Sequence, residues 1–166
     1  MKTANLFSLL ALLTFFSAAV AAATTENDIH IDIPVEIKQA KVVFNMDHLA
    51  FTGDAPIGMK TMAVMAERFR KTGIQWSVIG AFQGVAGYML LNDEAYNQAR
   101  KIKTGNPYKA DIEQLIRDGV VIEQCAVTMR GNRWTNASLL PGVKVNTGAN
   151  FRLVELMQQG YVMLQP

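Results

Sequence analysis

A single cysteine is the side chain of this sequence best suited to nucleophilic chemistry. Cys125 ends a short apolar run that begins at Val120, and the 166-residue chain contains no other cysteine. A thiol reacts as its thiolate, and a helix N-terminus or a nearby cation lowers the thiol pKa from its unperturbed value of about 8.5. Burial raises it, and free cysteine is among the most buried residue types. The sequence therefore leaves two interpretations open, a reactive thiol and a buried structural one.

Charged residues near Cys125 act on its pKa in opposite directions. Glu123 lies two residues earlier, on the same side of a predicted strand, and disfavours the thiolate. Arg130 and Arg133 follow in the sequence and would oppose Glu123 if the loop carries them back to the sulfur. His48 is a further candidate cation, and it could act as a base toward Cys125 only if the two strands that precede these residues are neighbours.

Other chemical signatures are broken or missing. Residues 53–61 lie between a strand and a helix as a phosphate-binding loop does, but Met59 separates the second glycine from the lysine. The glycines between positions 80 and 87 do not match a dinucleotide-binding fingerprint. His30 and His48 are the only histidines, and no Cys/His/Asp spacing suggests zinc. We therefore predict no metal and no bound cofactor.

The N-terminus has the features of an export signal. Lys2 is followed by an almost continuously apolar stretch at residues 6–16 and by small residues up to Ala23. An uncleaved membrane anchor is the alternative, because the apolar run nearly reaches the roughly 20 residues that span a bilayer. The polar residues 24–28 favour cleavage. We predict a signal peptide at residues 1–23, a periplasmic or secreted protein, and no membrane association after cleavage.

Composition limits the kinds of partner that the exported chain can bind. Net charge is +2 overall, and loss of Lys2 leaves 15 basic and 14 acidic residues. No basic stripe is interleaved with aromatic residues, so we predict no binding to nucleic acid. A lone cysteine forms no intramolecular disulfide, so stability must come from a packed core.

Residues 24–40 form a polar N-terminal arm before the first buried strand. Ile29, Ile31 and Ile33 alternate with polar residues, which indicates an edge strand or an extended arm. Pro34 argues against a central strand, because proline has no N–H to donate to a sheet.

The remaining residues, 41–166, alternate between strand and helix patterns and form one domain. We predict strands at 41–45, 74–81, 120–125 and 161–164, a short strand or an extended link at 143–146, and helices at about 59–73, 92–103, 108–118, 134–140 and 149–159. We also predict turns at 47–56 and 80–87, an apolar stretch at 88–91, and Asn92 or Asp93 as the N-cap of the second helix. This pattern favours a three-layer α/β fold with an open, mostly parallel five-stranded sheet and helices on both faces.

Ligands of such sheets bind beyond the carboxyl ends of the strands. Cys125 is the only strong nucleophile in these positions. We predict that it is catalytic and that Asn45, His48, Gln83 and Arg130, which follow three of the strands, bind the ligand.

Several segments of the chain resemble the DsrE/DsrF-like group of small sulfur-relay proteins. The resemblance covers residues 41–166 and is carried, in order, by residues 41–45, 90–96, 118–126, 139–145, 153–156 and 159–161. It implies a parallel five-stranded sheet, assembly into trimers or hexamers, and a persulfide carried on Cys125. Our leading hypothesis is thus an exported sulfur carrier that exchanges sulfane sulfur with a donor or acceptor protein.

Two other hypotheses remain. A non-enzymatic periplasmic binding or assembly module would keep Cys125 as a packing residue, and a redox-sensing protein would use it to crosslink subunits. The rate at which the native thiol is alkylated distinguishes these possibilities.

Overall fold

The computed structural model describes residues 30–166 of the protein. The predicted signal peptide and the first residues of the predicted arm therefore lie outside the described residues. The chain divides into two units, residues 1–35 and residues 36–166. The helices and strands described below all belong to the second unit.

A parallel sheet forms the centre of the second unit. The strands in chain order are β1 (Gln39–Met46), β2 (Phe51–Thr52), β3 (Ala55–Pro56), β4 (Gln75–Phe82), β5 (Val121–Cys125), β6 (Lys144–Asn146) and β7 (Val162–Leu164). Five of them form one sheet in the order β6-β5-β4-β1-β7, and all of its neighbouring pairs are parallel. Strands β1 and β4 carry nearly continuous apolar runs because both of their faces are covered. The five-stranded α/β fold predicted from the sequence is confirmed.

Helices cover both faces of this sheet. They are α1 (Ile57–Thr72), α2 (Asp93–Arg100), α3 (Lys109–Arg117), α4 (Ala126–Asn132) and α5 (Ala149–Gln158), with 3-10 helices at Gly84–Leu90 and Asn136–Ser138. The larger core lies on one face, where α1 and α3 contribute Met62, Phe69 and Ile112. On the other face, Leu153 and Leu156 of α5 pack against a smaller group of strand residues.

Several predicted boundaries need correction. Residues 126–132, expected to be a loop, form α4, and residues 84–90 form a 3-10 helix where only a turn and an apolar stretch were expected. Helix α2 begins after the predicted cap, since the Ala95 N–H donates to Asn92 Oδ1 at 2.9 Å. It ends at Arg100, earlier than predicted, because Lys101 takes a left-handed conformation with φ of 55°.

Two further corrections concern short segments. The predicted helix at 134–140 is only the 3-10 turn at Asn136–Ser138, and residues 51–56, expected to be a turn, form the small antiparallel pair of β2 and β3. Residues 30–38 form no strand, so of the two forms predicted for the arm the edge strand is wrong for the chain by itself. Within residues 30–166, no helix is both long enough and apolar enough to cross a bilayer.

Candidate functional site

Cys125 is the last residue of β5 and directly precedes α4. Its backbone is extended, with φ of −73° and ψ of 119°, and it occupies the N-cap position of the helix. The residue is only 3% exposed. The thiol therefore lies at the carboxyl edge of the sheet, where the parallel topology predicts a site, but it is covered.

Donors from two helices converge on the sulfur. The Ala149 N–H, in the first turn of α5, donates to Cys125 Sγ at 3.4 Å. In the first turn of α4 the N–H groups of Thr128 and Val127 and the Thr128 hydroxyl lie near enough to the sulfur to lower its pKa. We call this group of donors around Cys125 the amide nest.

The amide nest changes the acidity of the thiol. Burial raises the pKa of Cys125, but the hydrogen bonds from Thr128, Ala149 and Val127 outweigh burial, so that the pKa lies below its ordinary value. Since these donors are mostly backbone groups fixed at helix ends, they favour a negative charge on the sulfur without moving.

Thr128 connects the amide nest to the loop after β4. Its Oγ1 accepts a hydrogen bond from the Gly84 N–H at 2.9 Å. The 3-10 helix that starts there packs closely on α4, since a Cβ built at Gly87 would lie 3.0 Å from Thr128 Cγ2. The Thr128 side chain is thereby held through its hydroxyl by Gly84 and through its methyl group by Gly87.

The carboxylate of Glu123 is neutralised by a cation that the sequence analysis missed. Arg152, on α5, bonds both oxygens of Glu123 at 2.9–3.2 Å, and Asn146 Nδ2 donates to Oε2 at 3.1 Å. The Glu123 side chain is 5% exposed, against 27% for Arg152. These bonds to Glu123 raise the pKa of Arg152. The predicted repulsion between Glu123 and the thiolate is therefore balanced by a neighbouring positive charge.

A second polar group lies where β1 and β4 end, and we call it the strand-end cluster. Asn45 accepts a hydrogen bond from Gln83 Nε2 at 2.9 Å and donates to Gln165 Oε1 at 2.8 Å and to Asp47 Oδ2 at 3.1 Å. His48 Nδ1 lies 2.6 Å from Asp47 Oδ1 and 3.1 Å from Gln165 Nε2. The hydrogen bond with His48 keeps the pKa of Asp47 below its ordinary value. Three of the four predicted ligand-binding residues are thus together.

The first turn of α5 connects the two groups. Gln83 Nε2 donates to Asn150 Oδ1 at 3.3 Å, and Asn150 directly follows Ala149 of the amide nest. His48 is not placed to act as a base toward Cys125, because β4 lies between β1 and β5. The suggested pairing of these two residues is therefore wrong.

Arg130 lies apart from the other predicted ligand-binding residues. It is exposed in the last turn of α4, and its side chain makes no hydrogen bond or ion pair with any residue between 30 and 166. Arg133 is likewise exposed and follows α4 in a left-handed conformation, with φ of 60°. The groups that lower the thiol pKa come from backbone amides and a hydroxyl, and not from these two arginines.

A cleft of about 530 Å³ adjoins the cysteine. Its walls include Glu123, Asn146 and Gly148, and Asn146 is the residue of β6 paired with Cys125. Phe151 also lines the cleft although its side chain is 83% exposed. The sulfur is not part of the wall, so a reagent in the cleft does not touch it in this conformation.

Metal binding has no support among residues 30–166, where no three His, Cys, Asp or Glu side chains are close enough to hold an ion. Of the residues that sequence reasoning missed, only Thr128 left a signal. It follows Cys125 by three residues, the spacing between a helix cap and the N3 position.

Comparisons with known proteins place the chain in a family. A sequence profile of the DsrE/DsrF-like family matches residues 13–166. The chain belongs to the DsrE/DsrF-like family. The match extends to residue 13, upstream of the residues 41–166 that carry the resemblance.

Two solved structures share the fold of this DsrE/DsrF-like chain. MTH1491 of Methanobacterium thermoautotrophicum, a protein of unknown function, is 19% identical with a TM-score of 0.56, and the alignment covers 76% of this chain and 99% of that one. The ychN protein of E. coli is 13% identical with a TM-score of 0.50, with the same coverage of 76% and 99%. A comparison with curated protein sequences found no significant match. At these identities the structures establish the fold alone.

Proposed function

We propose that this DsrE/DsrF-like protein carries sulfane sulfur as a persulfide on Cys125. The observation that carries the proposal is the amide nest, in which fixed donors from α4 and α5 point at one sulfur and lower its pKa. A lone thiol in an apolar core would have the opposite shift, since burial favours its neutral form.

The transfer needs no oxidant if the donor is itself a persulfide. The Cys125 thiolate attacks the outer sulfur of the donor, so that an S–S bond forms on Cys125 while the S–S bond of the donor breaks. The donor leaves as a thiolate with the electron pair of the broken bond. An acceptor thiolate then attacks the outer sulfur on Cys125 and regenerates the starting thiolate, so one neutral sulfur atom moves in each step.

Approach to the sulfur is proposed to run through the cleft beside Asn146. The cleft adjoins β6 and the first turn of α5, and it ends next to the amide nest. In this proposal, Asn45, His48 and Gln83 in the strand-end cluster and Arg130 on α4 contact the incoming donor or acceptor protein from the other sides.

The proposal includes export and self-assembly. Residues 1–23 would act as a cleaved signal that delivers the protein to the periplasm or the outside. Helix α5 exposes Phe151, Val154 and Met157 at 83%, 50% and 43%. An apolar face of this kind supports assembly of the protein into a homo-oligomer, with a trimer or a hexamer expected.

Mass spectrometry of the intact protein tests the sulfur chemistry. After incubation with glutathione persulfide and removal of the reagent, we expect the mass of one added sulfur atom on the wild type and none on Cys125→Ala. Treatment with excess thiol should remove the added sulfur. An unmodified wild type, or equal addition to Cys125→Ala, would rule out the proposal.

A second candidate function is a binding or assembly module in which Cys125 is structural, favoured by the 3% exposure of the residue. Native alkylation distinguishes the two. A structural thiol reacts with iodoacetamide only on unfolding, whereas the proposed carrier reacts in the folded state, at a rate that follows its lowered pKa.

A further inference from the structure

Residues 30–38, which we call the arm segment, present an apolar row that is exposed among residues 30–166. Ile31, Ile33, Val35 and Ile37 are 69%, 81%, 68% and 46% exposed. Polar residues and Pro34 occupy the positions between them. In an extended chain all four apolar side chains lie on one face, the pattern of a strand that is covered on one side. Four exposed β-branched side chains in strict alternation are typical of a strand that packs one face against another protein surface.

The sheet of the same protein has an open edge with matching character. Strand β7 pairs only with β1, so the outer N–H and C=O groups of Val162–Leu164 have no strand partner within residues 30–166. Val162 and Met163 on this edge are 62% and 41% exposed. An exposed apolar edge strand is a template for the addition of another strand.

Pro34 fixes which edge of the arm segment can pair. In a strand, the N–H and C=O groups of alternate residues point to the same side, so those of the four apolar residues share one edge. Pro34, which has no N–H, belongs to the other edge. Pairing through the odd-numbered residues therefore loses no hydrogen bond, and Pro34 on the outer side blocks the addition of a further strand.

Chain length indicates that a second copy provides the β7 edge. Only Lys38 separates Ile37 from β1, which starts at Gln39. The outer side of β7 lies two strand spacings from β1, about 10 Å, whereas one residue spans about 3.4 Å. A row that pairs along its whole length to Ile37 must therefore pair with another chain.

Net charge supports contact between the arm and the body of the protein. Residues 24–38 contain four acidic residues and one lysine, a net charge of −3, whereas residues 39–166 contain 14 basic and 10 acidic residues, a net charge of +4. Opposite net charges on the arm and the body favour contact between them, and this includes contact between two copies.

We propose that the arm segment of one copy pairs along the outer edge of β7 of a second copy. The inference is independent of the sulfur chemistry, since neither surface includes Cys125.

Crosslinking between chains of different size tests the pairing. The full chain is expressed with and without a tag, so that the two forms differ in size. Both forms carry Cys125→Ser. The untagged form also carries Val35→Cys, and the tagged form carries Met163→Cys. A short bis-maleimide reagent is added after the two are mixed and allowed to exchange. We expect a covalent product that contains one chain of each size. Absence of that product would overturn the proposal.

Two added substitutions show whether the apolar row causes the contact. Ile31→Asp with Ile33→Asp in the Val35→Cys chain should reduce the crosslink yield at least tenfold. Val64→Asp is the matched control, because Val64 is also exposed, at 63%, but lies on α1; it should leave the yield within about twofold. An equal yield from the arm variant and the control would contradict the proposal. So would a chain carrying both cysteines that crosslinks only within itself.

A further variant carries Ile31→Asp and Ile33→Asp but keeps Cys125. Its sulfur loading should match that of the wild type, so that failure of the pairing proposal and failure of the sulfur-carrier proposal are distinguished.

Discussion

The amide nest and the strand-end cluster lie at the same edge of one sheet, but their polar groups are satisfied in different ways. Around Cys125, donors of α4 and α5 converge on a single sulfur. In the strand-end cluster the side chains bond one another, and Asn45 both donates and accepts. One group surrounds an atom that can become charged, while the other closes on itself.

This difference separates an activating environment from a structural one. Donors that all point at one atom stabilise negative charge there and shift its pKa. In a network whose side chains bond one another, no set of donors is left to stabilise charge on a single atom. Such a network instead holds together the ends of the strands that contribute to it. The amide nest is therefore expected to control reactivity and the strand-end cluster to control local stability.

Removal of Arg152 should have the largest effect of these changes, and the effect should be a loss of stability. Arg152→Gln leaves the buried Glu123 carboxylate without its cation, and breaking such a pair typically costs 3–5 kcal/mol. Because Arg152 is 27% exposed, we expect about 2–3 kcal/mol by urea denaturation. Arg130→Gln, a change at an arginine without such a partner, is the control and should be nearly neutral. A neutral Arg152→Gln would mean that Glu123 is reached by water.

Removal of the Thr128 hydroxyl should slow the alkylation of the Cys125 thiol without unfolding the protein. Thr128→Val deletes one donor to the sulfur, worth on the order of 1.4 kcal/mol for a charged acceptor, so alkylation at neutral pH should fall about tenfold. The sign follows from the lowered pKa of Cys125: with a donor lost the pKa rises, and the rate profile moves to higher pH.

Thr128→Ser keeps the hydroxyl and should retain most of the wild-type rate and midpoint. The rate of alkylation by iodoacetamide is measured from pH 5 to 9 for the wild type, Thr128→Val and Thr128→Ser. If Thr128→Val and Thr128→Ser have the same profile, the hydroxyl does not act on the sulfur.

Disruption of the strand-end cluster should have the smallest effect. Gln83→Ala removes the hydrogen bonds to Asn45 and Asn150, and we expect a loss of about 1 kcal/mol in the free energy of unfolding. The alkylation rate of Cys125 should change less than about twofold. A large change in that rate would show that the amide nest and the strand-end cluster act as one unit.

Local patterns were sufficient for the elements of the fold. Apolar runs predicted the five strands of the sheet. Of the two residues predicted to cap α2, Asn92 and Asp93, the structure has Asn92, and this cap was predictable because capping depends on residues three apart. Helix α4 was missed, since seven residues are too few for a clear period and Gly131 interrupts them. The 3-10 helix at Gly84–Leu90 was missed for a related reason, because its glycines favour a turn.

The sequence by itself determined the parallel α/β fold and the position of Cys125 at the carboxyl end of a strand, because periodicity and turn residues act over short distances. Only the tertiary structure decided what surrounds the thiol. The strand order places β4 between His48 and Cys125, the Ala149 N–H comes from 24 residues away, and Arg152 reaches Glu123 across 29. Such contacts depend on strand order and on how α5 packs on the sheet, and no local pattern encodes either.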